Sequence, residues 1–239
     1  TEPVEIAVPV PVASAVLALK FQEGDSSTYK TVSKTIQDYK FEQPSINKIK
    51  EEQNLTHIEM EFDQEIQSVQ DPNAVAKVTI KGLKVYMKDS DGVKVDFDSS
   101  READKAKPFS KLIGQGYTII IYSDGKVTAG SDAAAIRKLV TKGYDGRVAK
   151  NLLSAAEIVK RHEIISLPDK DAAKVSKGQS WSRVVPSHKR LLEQKAFEKL
   201  YVLDSVDEDK QVASVTMQAS ESDKPVQGTA PSGGFGIMA

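Results

Sequence analysis

The chain has 239 residues, of which 39% are apolar and none is cysteine, and its 33 Lys plus Arg against 34 Asp plus Glu give a formal net charge of -1. That length and apolar content can fill one large or two modest cores, so the chain reads as globular. The missing cysteine excludes disulfides, thiolate metal sites and cysteine nucleophiles, and the balanced charge gives nucleic acid nothing to bind.

Residues 1–19 form an N-terminal arm rich in Val, Ala and Pro, in which Pro3, Pro9 and Pro11 forbid a helix and favour an extended run. The apolar stretch 10–19 has no cationic flank and falls short of the roughly 20 residues that a membrane span needs. It reads as neither signal peptide nor anchor, and the chain as having no membrane span. A first β unit follows over 20–130. Residues 28–41, rich in Thr, Tyr, Val, Ile and Phe, predict a strand that ends at Pro44. Next, Ile58, Met60, Phe62 and Ile66 alternate with acidic and polar residues, which predicts a long strand with one face in a core.

After a turn at Asp71-Pro72-Asn73, the apolar phase of Val78 and Ile80 changes at Gly82 before Leu83, Val85 and Met87, so a bulge or bend is expected there. Asp89-Ser-Asp-Gly92 predicts a turn into the alternating strand of Val93, Val95 and Phe97. The run Tyr117-Thr-Ile-Ile-Ile-Tyr122 meets Val127 across Ser123-Asp-Gly-Lys126, and its continuous apolar character predicts burial on both faces.

Residues 131–166 read as a helical connector. Ser131-Asp132 caps a short helix to Val140, and Val148, Leu152, Ala156 and Val159 predict one further helix, about 20 Å long, ending at His162. Residues 168–178 read as a polar connector. A second, shorter β unit spans 177–220; within it 189–200 fits helix or strand, and strand is expected from its neighbours. The tail, 221–239, is rich in Gly and Pro. Ordering it would cost roughly 20 to 40 kcal/mol of backbone entropy, beyond what its own small side chains can offset, so a neighbouring subunit is its expected host.

The two β units share sequence. Residues 66–80 align without a gap to 203–217, with Ser68/Ser205, Val69/Val206, Val75/Val212, Ala76/Ala213, Val78/Val215 and Thr79/Thr216 identical. Upstream, Glu23-Gly-Asp-Ser-Ser27 is echoed by Lys177-Gly-Gln-Ser-Trp181. Repetition at this spacing means two related β units rather than a solenoid. The expected fold is therefore α+β and mainly antiparallel β: two related curved β units joined by a helical segment packed on the sheet.

Motifs that could carry chemistry read as structural. His57, His162 and His188 lie on different elements without ligand spacing, so no metal site is proposed. The ladder Glu59, Glu61, Asp63 and Glu65 reads as a solvated face paired with lysines such as Lys77 and Lys81. Asp89-Ser-Asp-Gly92 opens like a calcium loop but lacks its closing Glu, and Gly114-Gln-Gly116 precedes a strand rather than a helix. No serine lies in a Gly-x-Ser-x-Gly elbow. Trp181 reads as a core staple first and an interface anchor second.

The entrance Leu19-Lys-Phe-Gln-Glu-Gly-Asp-Ser-Ser-Thr-Tyr29, the turn Ser123-Asp-Gly-Lys-Val127 and the helix between two β units resemble an uncharacterised family of secreted or lipid-anchored bacterial β-rich proteins, over about residues 17–220. The resemblance implies a periplasmic or extracellular location and a curved two-part sheet, and it carries no catalytic residues.

Together these readings predict a non-catalytic structural or interaction subunit of an extracytoplasmic bacterial assembly. It uses no cofactor, and its partners are other protein subunits in a homo- or hetero-oligomer. Val4, Ile6, Val8, Val10 and Val12 of the arm and Phe235, Ile237 and Met238 of the tail are the expected contacts, by strand addition or groove binding. The alternative is a carrier for an apolar ligand such as a lipid, in a hollow lined by Ile58, Met60, Phe62, Ile80 and Val159.

Overall fold

The computed structural model describes residues 14–43, 45, 48–164, 166–169, 174–186, 196–210 and 212–224. The chain is mainly antiparallel β with few helices, and it divides into two units. The larger spans Leu19–Glu163; the smaller takes in the residues before Leu19 and after Glu163.

The larger unit is built on β2 (Ser26–Gln43), β3 (Lys48–Gln70), β4 (Asn73–Asp89), β5 (Gly92–Asp98), β6 (Gly116–Ile121) and β7 (Val127–Ala129). The sheet order is β2-β3-β4-β6-β7, and β5 pairs with the far half of β4. The alternation read from the sequence holds: Met60, Phe62 and Ile66 are buried with Ala74, Ala76, Val78 and Ile80 of the next strand. The expected break near Gly82 is a bulge, where Glu61 faces Gly82, Phe62 faces Ile80 and Lys81 is the extra residue. On β6 only one face is buried. Tyr117 and Ile119 are fully enclosed, whereas Ile120 is 38% exposed, which corrects the expectation of burial on both sides. A continuous apolar run cannot by itself separate a two-faced core strand from a one-faced strand.

The helices α1 (Ala133–Arg137), α2 (Gly143–Leu152) and α3 (Ala155–His162) contribute Ile136, Leu152 and Ile158 to the same core as the sheet, and Leu153 joins them from the end of α2. The carboxylate of Asp132 caps α1 at Ala133 N and also accepts from Thr118 N of β6, which pins the helix to the sheet. The single long helix expected over 148–162 is in fact two. Ser154 interrupts it, its Oγ accepting from Glu157 N to start α3.

The smaller unit contains β1 (Ser14–Val16) paired with β8 (Lys174–Ser176), and β9 (Ser180–Pro186), β10 (Ala196–Asp207) and β11 (Val212–Ser222) in the order β11-β10-β9. Residues 196–200 are thus strand, as expected; 189–195 lie outside the described residues. Leu17, Val175 and Leu203 form its core, with Trp181 and Val215 packed against them.

The two segments with similar sequence make similar backbone bonds. Gly24 N donates to Ile66 O at 2.9 Å and Ile66 N to Asp25 O at 2.8 Å; Gly178 N donates to Leu203 O at 2.7 Å and Leu203 N to Gln179 O at 3.1 Å. Both glycines have positive φ, 86° and 81°. Each long strand then skips one residue in its ladder just beyond, Gln67 in β3 and Asp204 in β10. The hairpin tips differ. Gln70 faces Asn73 across two residues, while Asp207 faces Val212 across four, so the return strand is displaced by two and its side chains keep their faces.

Candidate functional site

The one polar cluster of the larger unit that combines burial with a histidine joins β3, β6 and α3. Arg161 Nη1 donates to the Tyr117 hydroxyl at 3.1 Å, and the hydroxyl lies 2.9 Å from His162 Nε2. His162 Nδ1 lies 3.2 Å from Gln64 Oε1, an atom that can only accept, so the imidazole proton sits on Nδ1 and Nε2 accepts from Tyr117. Burial, and then the Arg161 charge, push the His162 pKa down to about 3; burial pushes the Tyr117 phenol up. At neutral pH the pair is uncharged, with both ring nitrogens engaged. Phe62 closes the cluster edge-on, 4.8 Å from the His162 ring. Such a chain of satisfied donors and acceptors braces the sheet against α3.

The other motifs resolve into ion pairs and turns. Lys30 reaches Glu59 at 2.8 Å and Lys81 reaches Asp63 at 3.3 Å, while Lys77 stands opposite Glu65 in the ladder. His57 bonds Glu59 at 3.0 Å. In the Asp89-Ser-Asp-Gly92 turn a cation is indeed present, but it is Lys94, which bridges Asp89 and Asp91. Asp104, buried after β5, binds Arg101 and Lys107 and accepts from Asp98 N, a cluster the sequence reading missed because nothing in its pattern marks burial. Among the described residues no group of three His, Asp or Glu stands close enough to hold a metal ion. No helix among them is long and apolar enough to cross a membrane.

Trp181 is the staple expected of it: its ring stacks on Tyr201 at 5.9 Å and its Nε1 donates to Ser166 O at 3.0 Å. The residues named for an apolar hollow are divided. Met60, Phe62 and Ile80 are buried in the common core, and Ile58 packs against it from a partly buried position. Val159 is half-buried on α3.

The remaining features with something left to bind are strand edges. Beyond the Ile36–Leu55 pair, β2 and β3 run on together from Gln37–Asn54 to Gln43–Lys48, past the point where β4 stops pairing with β3. A two-stranded ribbon is marginal alone. This one displays Tyr39 and Phe41 on one face and Ile49 on the other, with Phe41 62% and Ile49 60% exposed. In the smaller unit, β11 has β10 on one side and, among the described residues, no strand on the other.

The contact residues expected from the sequence, Val4, Ile6, Val8, Val10, Val12, Phe235, Ile237 and Met238, lie outside the described residues, as does His188. The ribbon and the β11 edge were not singled out from the sequence; the exposed phase of 32–41 could have marked the first. No family model, no curated protein and no solved structure matches the chain.

Proposed function

We propose that this chain is a non-catalytic structural or interaction subunit of a bacterial extracytoplasmic assembly, joined to neighbouring protein subunits through open strand edges and exposed apolar side chains. The observation that carries the reading is the ribbon of β2 and β3, where Phe41 and Ile49 are each more than half exposed on two strands that, among the described residues, no third strand supports. A lone two-stranded ribbon gains stability from a partner, and each face of this one carries a large exposed apolar side chain for a partner to cover, Phe41 on one and Ile49 on the other. The arm contacts at Val4 to Val12 and the tail contacts at Phe235 to Met238 belong to the same proposal. The extracytoplasmic location rests on the family resemblance.

Amine cross-linking of the full chain in the envelope fraction of its native cells, with Lys40 and Lys50 as the reporting lysines of the ribbon, tests it. Cross-links from these lysines to other polypeptides are expected, and Phe41→Asp with Ile49→Asp should abolish them without lowering the melting temperature. A chain cross-linked only to itself within one molecule, and monomeric by mass, would remove the reading.

A further inference from the structure

We infer that the edge of β11 (Val212–Ser222) that no described strand covers is a self-pairing surface: two copies of the chain join β11 to β11, antiparallel and about a two-fold axis through Thr216. This rests on the assembly reading above and names one partner for it, a second copy.

The first argument is the comparison between the two hairpins. In the larger unit Ala76 and Val78 face Ile66 and Gln64 across the ladder, and on their other side β6 supplies Ile119 and Tyr117; both are 0% exposed. In the smaller unit Val215 and Met217 hold the same places opposite Leu203 and Tyr201, yet nothing among the described residues takes the place of β6. Val215 is half-buried and Met217 is 46% exposed.

The second argument is charge. Soluble proteins guard open edges with charged side chains, proline, bulges or brevity. The described edges here follow that rule: β2 carries Lys30, Lys34, Asp38, Lys40 and Glu42, β9 carries Arg183 and ends at Pro186, and β1 and β7 have three residues each. By contrast β11 runs Val-Ala-Ser-Val-Thr-Met-Gln-Ala-Ser from 212 to 220, nine residues with no charge and no proline. A two-fold axis sets each residue against its mirror position, so like charges would oppose each other; this stretch has none to oppose.

Geometry fixes the register. A two-fold axis normal to the sheet keeps faces matched, so opposed residues must be of the same parity. Centring the neutral stretch puts Thr216 opposite Thr216 of the second copy, Val215 opposite the second copy's Met217, and Ser214 opposite its Gln218. The row Trp181, Tyr201, Met217 then continues into Val215 and Leu203 of the second copy. Each Met217 gains the apolar neighbour that Val78 has in Tyr117, and two three-stranded sheets become one of six strands.

The test uses the full chain and light scattering at about 100 µM, because a small edge-to-edge interface is weak. The expected mass is twice the 26.1 kDa of one chain. Ser214 and Gln218 are both exposed, so charges there leave the fold intact, which circular dichroism checks. S214K/Q218K sets lysine against lysine and should weaken dimerisation at least about tenfold, whereas S214E/Q218K sets Glu against Lys and should restore it. Because the chain has no cysteine, T216C alone should give a covalent dimer on oxidation or with a short bifunctional thiol reagent, while S220C should not. A monomeric wild type overturns the inference. So does a dimer that treats the two charge variants alike, and in that case the assembly reading survives through the ribbon, whose cross-links are scored separately.

Discussion

At the residue scale, His162 is the group most changed by folding. Its folded pKa near 3 lies below the ordinary value of 6.5, so as pH falls the unfolded chain takes up a proton that the folded chain refuses. Stability should therefore decline between about pH 6.5 and 3, by up to roughly 1.4 kcal/mol for each pH unit. Carboxylates such as Asp98, held down to about 2 by hydrogen bonds from Ser100, add their own loss only at lower pH. His162→Gln should flatten the upper part of the melting-temperature profile, between pH 6.5 and 4.5, and leave the acid limb; an unchanged upper limb would show that His162 is not buried neutral. Tyr117→Phe removes the hydroxyl that His162 Nε2 accepts from and should cost about 1 to 3 kcal/mol in denaturant unfolding. None of this was legible in the sequence. Tyr117 and Gln64 are 45 and 98 residues from His162, and only the packing of α3 on the folded sheet brings them together.

At the element scale, the alternating residues 58–66 and 93–98 announced their strands because one face is buried, and that pattern survives in any antiparallel sheet with a wet side. The ribbon was less legible: with neither face buried, 37–42 and 49–54 have no periodicity to show. The break at Ser154 was hidden by Val148, Leu152, Ala156 and Val159, whose spacing runs through it, although Ser154-Ala-Ala-Glu157 is a capping sequence. The paired glycine turns offer a matched test. A Cβ at Gly24 or Gly178 would touch nothing within 4 Å, so alanine there meets only the cost of positive φ, about 1 to 2 kcal/mol. Equal losses in denaturant unfolding for Gly24→Ala and Gly178→Ala are expected, provided each unit's own transition is followed; a cost at one alone would break the equivalence.

At the scale of the whole molecule, two unequal sheets imply unequal protection. Amides of Ala76, Val78 and Ile119, enclosed on every side, should exchange slowest, and those of β11 fastest among the strands. Raising the protein concentration should slow β11 selectively, and exchange independent of concentration would count against self-pairing there. The sequence did reveal where both hairpins lie, since strand-forming residues stand on either side of each turn. It could not reveal that 14–16 pairs with 174–176, because three residues carry no pattern.

The two hairpin tips carry one more lesson. The tip at 208–211 leaves two more residues unpaired than the tip at 71–72, and the second return strand is offset by two along its neighbour without being turned over. A single inserted residue that left the loop's length unchanged would turn every side chain of 212–220 to the opposite face, carrying Met217 to the exposed place where Gln218 now stands. Natural variation in this tip should accordingly come in even steps, a parity rule that any set of sequences sharing this hairpin can be checked against.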